Sequence, residues 1–219
     1  MTHHLKIDIV SDVSCPWCAV GLFALDTALR QLQGEITASL QFQPFELNPQ
    51  MPPGGQDIGE HLSEKYGSTP EQQAQIRDTI RQRGAAVGFA FNPDGRGRIY
   101  NTFDAHRLLH WAGASHPEQQ HALKVALLQA CHRDSLAMDD AEVLLDAVQT
   151  AGLDVERARA ILRSGAHAQA VREQQAFYSN AGVRSVPAFI INDRHLISGG
   201  QPVEVFDKAL RQIAAQDKE

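Results

Sequence analysis

The chain has 219 residues, 43% apolar and 21% charged, with 20 lysines and arginines against 26 acidic residues for a net charge of −6. These values describe a folded globular protein, with one core or one core plus an inserted subdomain, and exclude a disordered or membrane-embedded chain. The acidic balance provides no general attraction to nucleic acid or to an anionic membrane, so neither is expected as a partner.

The first ten residues lack the apolar core of a secretory signal, and no segment approaches the ~20 apolar residues of a membrane span, which predicts a cytoplasmic protein. Residues Leu5 to Val10 read as a strand and Ser11 to Ser14 as a polar turn. Ala19 to Leu32 reads as a helix with Leu22, Leu25, Leu29 and Leu32 on one face. Ile36 to Pro44 alternates and reads as a second strand, making a βαβ unit with a parallel pairing and a right-handed crossover. Phe45 to Pro49 then leads into a turn-rich run through Pro52, Pro53, Gly54 and Gly55. From 57 to 182 the pattern is almost purely helical, with helices expected near 57–66, 70–86, 101–113, 117–133, 139–150, 154–164 and 167–181. Strand character returns at Pro187 to Ile191 and His195 to Ser198, around a turn at Asn192 to Arg194, before a last amphipathic helix containing Val205, Leu210 and Ile213.

The most specific local feature is Cys15-Pro16-Trp17-Cys18, between the first strand and the first helix. Proline suits a first helical residue, because its missing N–H would be unpaired there and its φ is already helical. Cys15 is thereby placed at the helix N-terminus, where unpaired N–H groups and the positive end of the dipole favour a thiolate. Its pKa is expected well below the about 8.5 of free cysteine. Trp17 is apolar and adds no charge, so the helix end is expected to stabilise that thiolate alone. Cys18 lies three residues deeper on the same face, giving an attacker and a resolver. A C-x-x-C pair also serves zinc, but zinc needs four ligands, and the only other cysteine, Cys131, has no partner at finger spacing. No metal and no cofactor are expected.

The element order is that of an α/β thioredoxin-like fold with a large helical insertion between the second and third strands. Residues 1–56 and 183–219 form the thioredoxin-like domain, and 57–182 form an inserted helical subdomain that caps the Cys15 end of the sheet.

Four stretches carry a resemblance across nearly the whole chain: Cys15 to Cys18, Phe45 to Pro49, Asn101 to Trp111, and Gly182 to Phe189. With these the chain resembles the DsbA-like thioredoxin superfamily, in particular its FrnE-type branch, which shares its fold with 2-hydroxychromene-2-carboxylate isomerases. The resemblance implies a cis peptide bond between Val186 and Pro187, facing the cysteines, with Pro16, Trp17, Val186 and Pro187 binding substrate. Isomerase and kappa-class glutathione transferase relatives usually carry serine where this chain has Cys15, so the presence of both cysteines points to disulfide exchange. The implied activity is that of a thiol-disulfide oxidoreductase acting on protein disulfides or glutathione-linked substrates. A glutathione-dependent isomerase or transferase acting on a small aromatic or electrophilic compound is the alternative, and a non-catalytic peptide-binding module braced by the two cysteines stands outside both. For the oxidoreductase reading, the expected potential of the Cys15–Cys18 pair lies between the ~−270 mV of thioredoxin and the ~−120 mV of DsbA.

Cys131 shares a helical face with Leu123 and Leu127 and reads as a buried core thiol. His106 and His110 have a metal-compatible i, i+4 spacing but lack the glutamate of a zincin motif. His106 and Arg107 are instead candidates for lining the cleft, with plain packing an equal reading.

Overall fold

The structure is a computed structural model that describes residues 2–216. Its centre is a four-stranded mixed sheet in the order β2-β1-β5-β6, built from β1 (His3–Ser11), β2 (Ile36–Pro44), β5 (Ala188–Ile191) and β6 (His195–Ser198). β1 and β2 pair in parallel from His3 opposite Ile36 to Ser11 opposite Pro44, joined through α1 (Pro16–Gln31). β5 returns antiparallel to β1, and β6 antiparallel to β5.

The two-residue period of the strands sorts their side chains onto two faces. Leu5, Ile7, Ile9, Phe189 and Ile191 pack with Ala19, Leu22 and Leu25 of α1 and with Phe206 and Leu210 of α9 (Val203–Gln216). Val10 and Ala188 face the other way, with Tyr178 of α8 (Ala168–Asn180) and Val183. Gly21 allows a close approach beneath the cysteine motif: a Cβ there would stand 3.1 Å from Pro187 Cγ and 3.0 Å from Phe189 Cζ.

Between β2 and β5 lie α2 (Ile58–Tyr66), α3 (Pro70–Ala86), α4 (Phe103–Ser115), α5 (Pro117–His132), α6 (Ala141–Thr150), α7 (Val155–Arg163) and then α8. The α4 to α7 helices enclose a second cluster around Leu108, Leu127, Leu145 and Val148, and Val13 from the loop before the cysteines enters it. A short ribbon of β3 (Gln56–Asp57) against β4 (Arg98–Ile99), which periodicity does not reveal, ties the start of α2 to the segment before α4. The first helix also starts earlier than its apolar repeat suggests, because Pro16 occupies the first turn and Cys15 is the N-cap.

One side chain joins the edge strand to the helices. Gln120 of α5, 3% exposed, accepts from the Phe42 N–H at 3.0 Å and donates to the Phe42 carbonyl at 3.2 Å and the Leu109 carbonyl at 3.0 Å. It substitutes for a neighbouring strand at that position of β2. Gly113 makes room for it, since a Cβ there would lie 2.4 Å from Gln120 Nε2. Replacing Gln120 by leucine leaves the buried Phe42 N–H and carbonyl without partners, each worth about 1–3 kcal/mol. Gln120→Leu is therefore expected to lose roughly 3 kcal/mol or more in urea unfolding; a loss within ~0.5 kcal/mol of wild type, the range of an ordinary surface change, would contradict this role.

Candidate active site

The loop from Asp12 to Ser14 is held residue by residue by the segments inserted between β2 and β5. Asp12 is 1% exposed. Its Oδ1 accepts from the Ser14 N–H at 3.0 Å and the Thr102 hydroxyl at 2.9 Å, and its Oδ2 from the Leu47 N–H at 2.7 Å and the Ser14 hydroxyl at 3.1 Å. His106 Nε2 stands 3.6 Å from Oδ1, an ion-pair distance longer than a hydrogen bond. Burial works to raise the Asp12 carboxyl, but His106 and the Leu47 and Ser14 N–H groups overcome it and hold the acid well below the usual carboxylate range. The Val13 carbonyl is bonded by His132 Nε2 at 2.9 Å, and the Ser14 carbonyl by Arg96 Nη2 at 2.6 Å.

Held in this way, the loop delivers Cys15 to the start of α1 with extended backbone angles (φ −87°, ψ 114°), and the Cys18 N–H donates to the Cys15 carbonyl at 3.0 Å. The two thiols differ. Donation from the Cys18 thiol lowers the Cys15 pKa from its ordinary value; burial opposes this, and the Cys18 and Trp17 N–H groups add to the lowering. The helix end therefore does not act alone, contrary to the expectation from the motif: the bond from the second cysteine is the largest single contribution to the lowering. Cys18 is pushed well above the ordinary range, first by burial and then by its bond to Cys15. Cys15 Sγ also lies 3.7 Å from the Val186 carbonyl, and the Val186–Pro187 peptide is cis. Neither cysteine is in a disulfide.

A cavity of about 730 Å³ opens beside Cys15. Pro16, Trp17 and Val186 line it, together with Ser14 and Phe45; Pro187 lies behind, against α1. Its outer wall comes from α2 and α3, where Tyr66 and Ile76 are exposed, and its charged groups are mainly cationic: Lys65, Arg77, Arg81, Arg96 and Arg184, against Glu46. Lys65 is engaged by the Leu47 carbonyl and Asn48, Arg81 by Asp78, and Arg96 by Ser14 and Cys131. Arg77 and Arg184 have no ion-pair partner among the described residues.

His106 and Arg107 do not line this cavity. His106 faces Asp12 from inside, and Arg107 is buried, donating to the Ala166, Ile161 and Ser164 carbonyls and to Asp104. The i, i+4 spacing of His106 and His110 brings no shared ligand position, since His110 pairs with His167 at 3.1 Å. Cys131 is 2% exposed, its thiol pushed up by burial, and it accepts from Arg96 Nη1 at 3.1 Å. Sequence reading missed Asp12, Arg96 and Lys124. The Asp12-Val13-Ser14 spacing is a signal for a side-chain turn, and Lys124 interrupts the apolar face formed by Leu123, Leu127, Leu128 and Cys131; Arg96 sits in a loop without any periodic signal.

Residues 6–211 match the model of the DSBA-like thioredoxin domain. The chain belongs to that family. A probable DsbA oxidoreductase from Streptomyces coelicolor is 34% identical, with a TM-score of 0.84 over 95% of this chain and 89% of that one. A 2-hydroxychromene-2-carboxylate isomerase shares the fold at 16% identity and a TM-score of 0.72, covering 97% and 98% of the two chains. The cytosolic disulfide reductase DsbM from Pseudomonas aeruginosa, solved with GSH, does so at 15% identity and a TM-score of 0.62, covering 94% and 98%. This DSBA-like domain is thus an α/β thioredoxin-like fold of the thiol oxidoreductase family.

The Asp12 network has a pH signature. Its folded-state pKa is depressed, so its stabilisation is complete above the unfolded value of about 3.9 and fades as pH falls below it. Asp12→Asn is expected to cost about 3 kcal/mol at neutral pH, with the deficit narrowing below pH ~4. Urea unfolding across that range checks this, and a deficit that stays constant to the lowest pH would count against it.

Proposed function

We propose that the protein is a thiol-disulfide oxidoreductase in which Cys15 attacks and Cys18 resolves. The observation that supports this most is the inequality of the two thiols, one lowered in pKa and facing a cavity, the other raised and enclosed. A Cys15 thiolate attacks one sulfur of a substrate disulfide, and the electron pair of the broken S–S bond leaves with the other sulfur. Cys18 then attacks Cys15 Sγ, closing the Cys15–Cys18 disulfide and releasing the reduced partner. Pro16 and Trp17 provide an apolar contact for the substrate beside the attacking sulfur, and Val186 shapes the opposite side of the groove, backed by Pro187 against α1. The inserted segment 57–182 acts as the subdomain that provides the outer wall.

Its partners are a protein disulfide or a glutathione-linked thiol, in the cytoplasm; among the described residues no helix is long and apolar enough to cross a membrane. The unpaired guanidinium groups of Arg77 and Arg184 on the cavity wall favour the second, because glutathione carries two carboxylates. The same cations keep a glutathione-dependent isomerase or transferase as a second reading, in which Cys15 would hold the glutathione thiol without exchanging it.

Equilibration with graded glutathione buffers, read by alkylation and mass shift, tests the reading. A reversible two-electron transition is expected between ~−270 and ~−120 mV, lost in Cys15→Ser. Its absence would remove the oxidoreductase reading and send the search to aromatic substrates that require glutathione. The double variant Arg77→Ala/Arg184→Ala is expected to raise the KM for glutathione disulfide about tenfold, the worth of one charge-assisted contact, with insulin reduction unchanged. An equal effect on both substrates would mean that the two arginines do not select for glutathione.

A further inference from the structure

One polar atom on the cavity face of α2 is satisfied by no other group among the described residues. Ile58, His61, Leu62, Lys65 and Tyr66 all line the cavity, and their spacing of three and four places them on one face of the helix. His61 is 9% exposed there. Its Nδ1 lies 2.8 Å from Gln56 Oε1, and Gln56 Nε2 donates to Glu64 Oε2 at 2.7 Å. A carboxylate only accepts, so Glu64 holds the amide nitrogen of Gln56 and turns the amide oxygen toward His61. That oxygen only accepts as well, so the imidazole donates through Nδ1 and its proton is fixed there. His61 Nε2 is left as a lone pair. It has no hydrogen-bond partner among the described residues, yet it is not one of the enclosed unpartnered atoms, such as Lys124 Nζ, and is reached from the cavity.

The wall that carries this atom is braced on both sides. Lys65, one turn along α2, bonds to the Leu47 carbonyl and to Asn48, and Gln73 Nε2 of α3 donates to the Gly59 and Ser68 carbonyls at 3.1 and 3.2 Å. His61 is therefore in place before any ligand arrives. Burial first, and then the Lys65 cation, lower its pKa; Arg96 adds to this and Glu64 opposes it, so the ring is neutral at neutral pH. What such an atom can receive is narrow. A carboxylate or carbonyl oxygen finds no proton at Nε2, and an ammonium group is repelled by Lys65 and Arg96 on the same cavity. An uncharged N–H fits both conditions.

We propose that His61 is a substrate-binding residue of this cavity, its Nε2 accepting a hydrogen bond from a peptide N–H of the substrate. The inference deepens the reading of the cavity as a site for a glutathione-linked substrate and rests on it. Arg77 and Arg184 answer carboxylates, which simple thiol acids also carry, whereas His61 answers an amide, which they lack. The side chain thus selects acidic thiol peptides over thiol acids of similar charge. The Gln56 and Glu64 relay is what makes this possible, because it keeps the proton off the nitrogen that faces the ligand.

Nitrogen NMR of the histidine rings in the wild-type protein, titrated with S-methylglutathione, tests this without any thiol exchange. The His61 proton is expected on Nδ1, and the bare Nε2 signal is expected to move toward the protonated position as the ligand binds. A proton found on Nε2, or an Nε2 signal unmoved by a large excess of S-methylglutathione, would overturn the proposal. Kinetics with two disulfides provide the second measurement. Dithiodipropionate has carboxylates and a disulfide but no N–H, so His61→Phe is expected to raise the ratio of KM for glutathione disulfide to KM for dithiodipropionate about tenfold, the worth of one hydrogen bond. An unchanged ratio would count equally against the assignment. The ligand in the titration has no free thiol, which keeps the two readings apart. If Cys15 and Cys18 show no transition in glutathione buffers while Nε2 still responds, the oxidoreductase reading falls and the His61 assignment stands; a normal transition with an unresponsive Nε2 does the reverse.

Discussion

The buried Asp12 carboxylate is the fixed point on which the cysteine motif depends. Burying a charge is tolerable only when its lone pairs are filled, and here two backbone N–H groups and two hydroxyls fill them, from the loop itself, from the end of β2 and from the start of α4. The donors come from segments distant in sequence, so the carboxylate joins the sheet to the helical block at the point where α1 begins. The next two residues are held in turn by His132 and Arg96. The position of Cys15 is therefore set by packing that spans most of the chain, although the motif itself is only four residues long.

Within that frame, chemically identical side chains become unequal through a single turn of helix. Cys15 lies at the N-cap, where N–H groups are free to face a sulfur, while Cys18 is one turn deeper among apolar neighbours of α1. The inequality is reinforced by the bond between them, since a thiol that donates stabilises its neighbour's thiolate and holds its own proton. Arg96 extends the same economy of contacts: one guanidinium spans the third cysteine and the backbone just ahead of the first.

The fold and the cysteine pair were legible in the sequence because they rest on short-range signals. Alternation marked the strands, leucine spacing marked α1, and a proline inside C-x-x-C marked a helix start. The cis Val186–Pro187 bond came through family resemblance and not from the dipeptide, which ordinarily favours trans. What escaped reading depends on tertiary closure. The β3 and β4 ribbon has two residues on each side, too few for any period to register. His106 and Arg107 were placed near the site by their segment, but the direction in which each points is settled by Asp12 and by the carbonyls at the end of α7. Lys124 left a trace as a charge within an apolar stripe, which composition alone treats as a solvated break.

The amide of Gln120 has a consequence beyond joining α5 to β2. An exposed strand edge is a template on which another chain can pair, and a mixed sheet of four strands has two such edges. At Phe42 both backbone groups of the β2 edge are already occupied by a side chain, so an incoming strand finds neither donor nor acceptor there. On the opposite edge, β6, a glutamine reaches the backbone at the strand's end, where Gln201 Nε2 donates to the Ser198 carbonyl at 2.7 Å, and Leu196 is presented at 60% exposure. Both margins of the sheet thus carry a glutamine on their backbone, the β2 edge at Phe42 through both donor and acceptor and the β6 edge at its last carbonyl, which leaves the stretch around Leu196 as the part of the sheet most open to another strand.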